Sequence, residues 1–304
     1  MIQVLFNGVM PIFAIAAIGY FLGKRNIFDV AAAGTINKFA FLIAIPALNF
    51  RLIINAPFSE FDWLLLVGFF ISELTVYVLG FLISKMILRC DLKESILLGL
   101  AASFGNHVLF VLPIALTLFG EESMAPIVAI IALDAIVIFG GTIIIMEALS
   151  RNILSYKHLC KNIFQNPPLV SILLGSLIAV LSIELPHGIN VFVKFIGNIA
   201  APMALFSLGV ILSQTNLSNR IIPSLSVSAL KLLCHPIIAW LILSGILAFA
   251  IEHSKTSLMV AGAPCGAMAL VLALNYNVRT DAIAPAIFFT TLGSLISLTV
   301  IASW

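Results

Sequence analysis

The chain has 304 residues, of which 62% are hydrophobic and 9% charged, with a formal net charge of +2 and a mean hydropathy of +1.20. Soluble domains carry roughly 25% charged residues, so this composition excludes a soluble globular protein and makes the lipid bilayer the solvent for most of the chain. The sequence contains no basic patch of the kind that binds nucleic acid, which excludes nucleic acid as a partner.

Ten apolar stretches follow one another along the chain, and each is long enough to cross the hydrocarbon, which takes ~20 residues. Backbone polar groups in lipid must be satisfied internally, so all ten are predicted to be helices. Spans one to ten are predicted at 4–22, 33–54, 62–88, 95–119, 124–148, 168–185, 190–213, 222–250, 257–276 and 281–303. Span one lacks a basic n-region and a cleavage pattern, so we interpret it as a membrane helix rather than a signal peptide.

The distribution of Lys and Arg among alternate loops predicts the orientation. One set of loops carries Lys24, Arg25, Lys85, Arg89, Lys93, Arg151, Lys157, Lys161, Arg220 and Arg279. The opposite set carries only Lys194 and Lys255, beside Glu60, Asp62, Glu121, Glu122, Glu184 and Glu252. The first set is therefore predicted to be cytoplasmic. Both termini are then extracytoplasmic, which agrees with an even number of spans.

Four pairs of similar segments indicate that the two halves repeat. "LIAIPALNF" around Pro46 resembles "NIAAPMALF" around Pro202, and "AASFGNHVLFVLP" from Ala101 resembles "AGAPCGAMALVLA" from Ala261. Pro126 pairs with Pro285 and Pro11 with Pro168, and all the offsets lie between 156 and 160. Five spans per half is an odd number, so the second half must be inverted in the membrane, an architecture common in secondary transporters. The alternative is chance recurrence of small residues and prolines.

Spans four and nine occupy corresponding positions and contain helix-breaking residues at mid-membrane. The residues concerned are Ser103, Gly105, Asn106 and His107 in span four, and Pro264, Cys265 and Gly266 in span nine. Proline removes a helical hydrogen bond and glycine adds backbone freedom. Unwound backbone at this depth must be buried or line a cavity, and paired broken helices point to a binding site. Their N-termini favour an anion. An ordinary proline kink is the alternative.

Among the charged residues inside predicted spans, three are candidates for function, because charge in the hydrocarbon is costly. Glu73 in span three and Lys231 in span eight are 158 positions apart, so they are equivalent in the repeat and are candidates for a buried pair. Snorkelling of both side chains to an interface is the alternative. Asp134 lies in the middle of span five, where snorkelling is difficult. We expect these three residues to support or couple transport.

Further candidate binding residues lie close to prolines or to the break in span four. Arg51 and Asn49 follow Pro46 in span two, and a guanidinium there can bind a carboxylate through two hydrogen bonds or anchor the helix at the interface. His107 is a candidate for binding an anion or carrying a proton, or for a packing role. His235 shares a helix face with Lys231.

No enzyme motif, nucleotide-binding loop or metal-type cysteine spacing is present, so we expect neither an enzyme nor a cofactor nor a metal. The cysteines are Cys90, Cys160, Cys234 and Cys265, and a disulfide framework is not expected. The sequence leaves two transport classes open, which are a secondary carrier for a small organic anion and a channel or facilitator.

The whole chain resembles the auxin efflux carrier family, which includes bacterial malonate and malate permeases and plant auxin carriers. The resemblance rests on "NPPLVSILLG" from Asn166, "GNIAAPMALFSLGV" from Gly197, "LKLLCHP" from Leu230, and Asn106 with Pro113 and Pro264. It implies an all-α fold like that of bile-acid and sodium–proton transporters, in which broken spans four and nine cross. Gly105 stands where plant carriers have proline, and their long cytoplasmic loop is absent.

The resemblance also implies a division of the chain. Residues 1–60 and 151–215 would form a scaffold of spans one, two, six and seven that makes a homodimer, and residues 61–150 and 216–304 a transport domain. Glu73 and Lys231 match an acidic residue and a lysine behind the crossing in auxin carriers, so Lys231 is expected to replace a sodium ion. The expected function is elevator-type transport of a dicarboxylate such as malonate or malate across the cell membrane, with an auxin-like monocarboxylate carrier as the alternative.

Overall fold

The computed structural model describes residues 1–56, 61–151, 164–215 and 220–304, with the side chains of Glu122 and Arg151 excepted. Twelve helices are described in these ranges. They are α1 (Ile2–Lys24), α2 (Val30–Ile54), α3 (Trp63–Ile87), α4 (Leu92–Ser103), α5 (His107–Phe119), α6 (Met124–Ser150), α7 (Pro167–Val180), α8 (His187–Ser213), α9 (Ile221–Ile246), α10 (Ile251–Ala261), α11 (Met268–Asn275) and α12 (Ile283–Ala302). The described residues contain no strand, and their only bridge pairs Gly105 with Cys265.

Seven of the helices are long and apolar enough to cross a membrane, namely α1, α2, α3, α6, α8, α9 and α12. Each has 20 or more residues and so reaches the ~30 Å that the hydrocarbon requires. The chain is therefore an all-helical, multi-pass membrane protein, as its composition predicts.

The remaining helices are shorter, and here the structure differs in detail from ten uniform spans. Predicted span four is divided into α4 and α5, and predicted span nine into α10 and α11. Helix α7 has 14 residues, about 21 Å at the helical rise, and ends before the predicted limit of span six. The count of ten spans stays a prediction. Glu60, Lys157, His158, Cys160 and Lys161 lie outside the described residues.

Helices α1, α2, α7 and α8 pack on one another along much of their length. Glycines allow α1 and α8 to touch through their backbones. A Cβ placed on Gly209 would lie 2.0 Å from the carbonyl oxygen of Ala16, and one on Gly19 would lie 2.1 Å from that of Phe206. Only glycine fits at such distances, so these two positions fix the approach of the helices.

The other helices, α3 to α6 and α9 to α12, enclose many buried polar side chains. Helices α3 and α4 pack closely, with Gly99 set against the backbone of Tyr77. Glu73, Asp134 and Lys231 lie on α3, α6 and α9 and are 1%, 0% and 0% exposed. Snorkelling is therefore excluded for all three in this structure.

Two ion pairs join this group of helices near helix ends. Asp62 caps α3 by accepting hydrogen bonds from the backbone N–H groups of Leu64 and Leu65 at 3.0 Å, and it also bonds to His253 of α10 at 3.0 Å. Glu94 in the first turn of α4 pairs with Arg220, which precedes α9. Each pair therefore ties the start of a short helix to the start of a long one.

Candidate functional site

The two breaks predicted from glycine and proline meet in space and hydrogen-bond to each other. The Asn106 N–H donates to the carbonyl oxygen of Pro264 at 2.8 Å, and the Gly266 N–H donates to that of Phe104 at 2.9 Å. Gly105 and Cys265 face each other in this short antiparallel pairing. Backbone groups freed by the breaks thus satisfy one another, which allows unwound chain to exist in an apolar environment.

Hydroxyl groups of α12 form hydrogen bonds to the second break, which lies between α10 and α11. The Thr290 hydroxyl accepts a hydrogen bond from the Cys265 N–H at 3.1 Å, and the Ser297 hydroxyl donates to the carbonyl oxygen of Gly262 at 2.7 Å. Hydroxyl groups facing unwound backbone replace the helical bonds that the break removes. The place where the two breaks meet, which we call the crossing, is therefore also stabilised by α12, which is not one of the broken helices.

A cavity of about 120 Å³ lies against the crossing. It is bounded by the first turn of α5, the start of α11, and parts of α2, α6, α7 and α8. Its polar lining is mostly amide and imidazole: Asn37, Asn49, Asn106, His107 and Asn166. The volume is small beside the ~300–1,000 Å³ of pockets that hold drug-sized ligands, so the cavity suits a small molecule.

Helix ends give the two sides of the crossing opposite polarity. Helices α5 and α11 begin at the cavity, where the N–H groups of a first turn lack partners within the helix and carry partial positive charge. Helices α4 and α10 end on the other side, where their carbonyl groups carry partial negative charge. The cavity therefore favours a negatively charged or electron-rich ligand.

Lys231 occupies the negative side of the crossing. Its ammonium donates to the carbonyl oxygen of Ser103 at 2.8 Å and to that of Val260 at 3.4 Å, and it contacts Nδ1 of His235 at 3.0 Å. Ser103 ends α4, and Val260 lies in the last turn of α10. One fully buried cation thus binds the carboxyl ends of both short helices, where a cation is most stabilised.

Glu73 and Asp134 complete a buried cluster next to Lys231. Both carboxyl groups are buried and interact electrostatically with each other and with Lys231. No ion pair within 4.0 Å joins Glu73 to Lys231. Glu73 and Lys231 therefore belong to one buried cluster, but Lys231 is bonded to backbone carbonyl groups and His235 rather than directly to Glu73.

The predicted binding residues divide into three groups. Asn49, Gly105, Asn106, His107 and Gly266 line the cavity. Ser103, Pro264 and Cys265 form the crossing behind it and do not line it. Arg51 lies away from the cavity, and its guanidinium donates to the Asn198 side chain at 2.9 Å. In this structure Arg51 therefore contacts α8 rather than the cavity.

Sequence reasoning missed three residues that shape the site, namely Asn37, Asn166 and Thr290. The Asn166 side chain caps α7 by accepting from the Leu169 N–H at 3.1 Å. Asparagine before two prolines is a signature of a helix start and could have placed Asn166 at a helix end. Nothing in the local sequence indicates which helix it faces.

A wider pocket of about 560 Å³ continues from the cavity. The two share Phe41, Asn166 and Val271, and the wider one extends to Asn275 and Tyr276. Phe41 lies in the middle of α2, whereas Asn166, Asn275 and Tyr276 lie at the start of α7 and the end of α11, which are helix ends next to loops rich in Lys and Arg. The cavity therefore opens toward that end of the molecule.

Known transport proteins are similar to this chain over nearly its whole length. A family model described as "Membrane transport protein" matches residues 4–302. A Rhizobium meliloti (strain 1021) protein named "Putative malonate transporter" is 26% identical over 96% of this chain and 92% of its own length. An "Uncharacterized transporter" of Methanothermobacter thermautotrophicus is 27% identical over 95% of each chain. Another, from Methanocaldococcus jannaschii, is 27% identical over 97% of this chain and 96% of its own.

Proposed function

The chain belongs to the membrane transport protein family, and from that premise we propose that it is a secondary active transporter of a small organic anion. The proposed substrates are dicarboxylates such as malonate or malate, moved by alternating access and driven by a proton gradient or the membrane potential. The name of the Rhizobium meliloti relative supports the choice of malonate for testing.

The observation that carries the proposal is an unpaired polar group in the cavity beside two helix N-termini. The Asn49 side chain is 3% exposed, lines the cavity, and its Oδ1 has no hydrogen-bond partner in the described residues. An unpaired buried polar atom costs ~1–3 kcal/mol, which a bound ligand or water would recover. Oδ1 is an acceptor and is satisfied by a donor such as water or a carboxylic O–H, whereas Nδ2 of the same amide and the N–H groups of the helix N-termini donate to carboxylate oxygens.

We further propose that the fold contains ten spans in two inverted halves. The two ion pairs near helix ends support this, because Asp62 and Arg220 are 158 positions apart and Glu94 and His253 are 159 apart. Each pair would thus be the inverted copy of the other, with the charges exchanged. The offset of 158 between Asp62 and Arg220 equals that between Glu73 and Lys231, and the offset between Glu94 and His253 differs from it by one. Residues outside the crossing therefore repeat with the same period as the crossing itself.

In an elevator-type cycle, residues 61–150 and 216–304 would move as a transport domain against a scaffold of residues 1–60 and 151–215. The tight glycine contacts of α1 with α8 support a rigid scaffold, which we propose forms a homodimer in the cell membrane. With both termini extracytoplasmic, the cavity described above would open to the cytoplasm.

Transport is proposed not to require sodium. Carbonyl groups at the ends of broken helices are ligands for Na⁺ in other transporters, and here Lys231 binds those of Ser103 and Val260. Replacing sodium by choline at constant pH should leave uptake unchanged, and a saturable sodium dependence would contradict this.

Uptake of labelled malonate by proteoliposomes tests the assignment of the site. Asn49→Ala should raise the KM for malonate at least 10-fold and leave the apparent melting temperature near that of the wild type. Asn55→Ala is the matched control, because Asn55 lies just beyond the end of α2 and does not line the cavity. Equal KM values for the two variants would show that Asn49 does not contribute to substrate binding.

A channel or facilitator remains the second candidate, and an auxin-like monocarboxylate carrier the third. The amide-rich lining contains no lysine or arginine. Without a basic side chain to bind a second carboxylate, such a site is more compatible with a monocarboxylate than a site lined by arginine would be. Competition of malonate uptake by acetate and by indole-3-acetate distinguishes the carriers, since a monocarboxylate carrier is inhibited more strongly by the monoacids.

A further inference from the structure

The buried cluster behind the crossing is connected to the cavity through His107. This residue lines the cavity, and its Nδ1 lies 3.6 Å from Oδ2 of Asp134. Asp134 in turn faces Glu73, and both interact with Lys231, which contacts His235. Ionisable side chains therefore run from the cavity to the far side of the crossing.

The two carboxyl groups require a proton between them. Oε2 of Glu73 and both carboxylate oxygens of Asp134 are buried without a hydrogen-bond partner in the described residues. Two ionised carboxylates in one buried cluster repel each other, and protonation of one of them removes that repulsion. With one proton and a charged Lys231, the two carboxyl groups and the ammonium sum to zero charge, which burial strongly favours.

We propose that the Asp134–Glu73 carboxyl pair binds the proton that crosses the membrane with the substrate, and that His107 passes this proton between the cavity and Asp134. The inference rests on the proposed transport function and names the residues that would couple it to a proton gradient.

The transfer is balanced and changes no oxidation state. A hydronium ion in the cavity gives its proton to one imidazole nitrogen of His107 and becomes water. The other nitrogen releases a proton to Oδ2 of Asp134, where an O–H bond forms. The distance of 3.6 Å from Nδ1 to Oδ2 is beyond hydrogen-bond range, so proton transfer requires the two side chains to come closer together than they are in this structure.

Two ionisable groups from other helices interact with the carboxyl pair, namely His107 of α5 and Lys231 of α9. Lys231 in turn contacts His235 on its own helix and interacts with Cys265 of the break between α10 and α11. A substrate anion in the cavity would favour a protonated His107. Substrate and proton would therefore bind together rather than independently.

The test measures the steady-state accumulation ratio of malonate in proteoliposomes with an acid exterior and the potential clamped at zero. At one proton per substrate, one pH unit corresponds to about tenfold accumulation. We expect this ratio for the wild type, together with acidification reported by a lumenal dye. Asp134→Asn should reduce the ratio to about one. Glu147→Gln should match the wild type, because Glu147 is a buried carboxylate on the same helix outside the cluster.

The accumulation ratio does not depend on rate or affinity, so a slow variant remains informative. His107→Gln provides a second test if Asp134→Asn does not fold, and it should also lose the response to the pH gradient. A wild-type ratio in either variant overturns the inference, as does a wild-type protein that exchanges malonate without responding to the gradient. A wild-type protein that exchanges no malonate at all would instead refute the proposed substrate.

Discussion

At the scale of single residues, the centre of the molecule depends on Lys231. Its ammonium binds the carbonyl groups that end α4 and α10 and offsets the charge of nearby carboxyl groups. No other basic side chain shares this role among the described residues of the crossing. A single substitution of Lys231 therefore removes both the hydrogen-bond donor to the carbonyl groups that end α4 and α10 and the positive charge that offsets the nearby carboxyl groups.

Lys231→Ala should accordingly lower the apparent melting temperature more than Glu73→Gln. Breaking a buried charge pair by removing one partner costs ~3–5 kcal/mol, and the carbonyl groups of Ser103 and Val260 also lose a donor. The double variant should be more stable than Lys231→Ala alone, because it leaves one buried carboxyl group (Asp134) without the ammonium rather than two, yet less stable than Glu73→Gln.

Thermal unfolding of the four proteins in one detergent measures this coupling. Lys38→Ala serves as the control, since Lys38 is exposed on α2. Strictly additive effects of the two substitutions would mean that Glu73 and Lys231 do not interact.

At the scale of helices, two kinds of contact define the architecture, namely close glycine contacts, which occur in both groups of helices, and ion pairs near helix ends, which join helices of the second group. Sequence patterns predicted both breaks from Gly105, Pro264 and Gly266, because helix breakers are local signals. The direction of Arg51 could not be predicted, since a rotation about the helix axis by one residue changes which neighbour it meets. The hydroxyl of Thr290 was missed for the same reason.

Gly209→Ala should destabilise the packing of α1 against α8. The added Cβ would lie 2.0 Å from the backbone oxygen of Ala16, so the helices must separate, and overpacking of this kind costs ~1–3 kcal/mol or more. Gly141→Ala is the control, because its Cβ would meet nothing within 4 Å and alanine favours a helix by ~0.5–1 kcal/mol. Similar melting temperatures for the two variants would contradict the close contact.

Asp62→Ala should lower stability more than Asp29→Ala. Both aspartates cap a helix, which contributes ~0.5–2 kcal/mol, but Asp62 also bonds to His253. A partly exposed pair of this kind adds ~0–1 kcal/mol. Equal losses in thermal unfolding at neutral pH would mean that the bond to His253 contributes nothing.

The Asp62 contribution should also depend on pH. Burial acts to raise the pKa of Asp62, but hydrogen bonds from Leu65, His253 and Leu64 outweigh it and leave the pKa below its ordinary value. A carboxyl group with a lowered pKa stabilises the fold above its unfolded pKa of about 4 and loses that effect as pH falls through the folded pKa. The difference between Asp62→Ala and the wild type should therefore shrink in acid.

At the scale of the whole molecule, composition alone predicts a helical membrane protein, and the order of motifs identifies the family. Substrate and orientation depend on features that local sequence does not encode. Which helix ends face one cavity, for example, is decided by the contact of Asn106 with Pro264, residues separated by more than half the chain. The contact agrees with the proposed repeat, in which equivalent breaks of two inverted halves would lie near a shared axis.

The proposed topology predicts that Trp304 is extracytoplasmic. A reporter fused to the C-terminus that is active only in the cytoplasm should be silent, and the same reporter fused after Arg25 should be active. Cytoplasmic activity at Trp304 would contradict both the orientation and the inverted repeat.

Counterflow in proteoliposomes tests the central claim, which is that this chain is a carrier with an alternately exposed anion site at the helix crossing. The measurement follows entry of labelled malonate into vesicles that contain either unlabelled malonate or buffer. A carrier predicts transient accumulation only with unlabelled malonate inside, and Asn106→Ala, which alters the cavity at the crossing, should reduce it. Labelled malonate that enters at the same rate with and without internal substrate would show a channel and contradict the account.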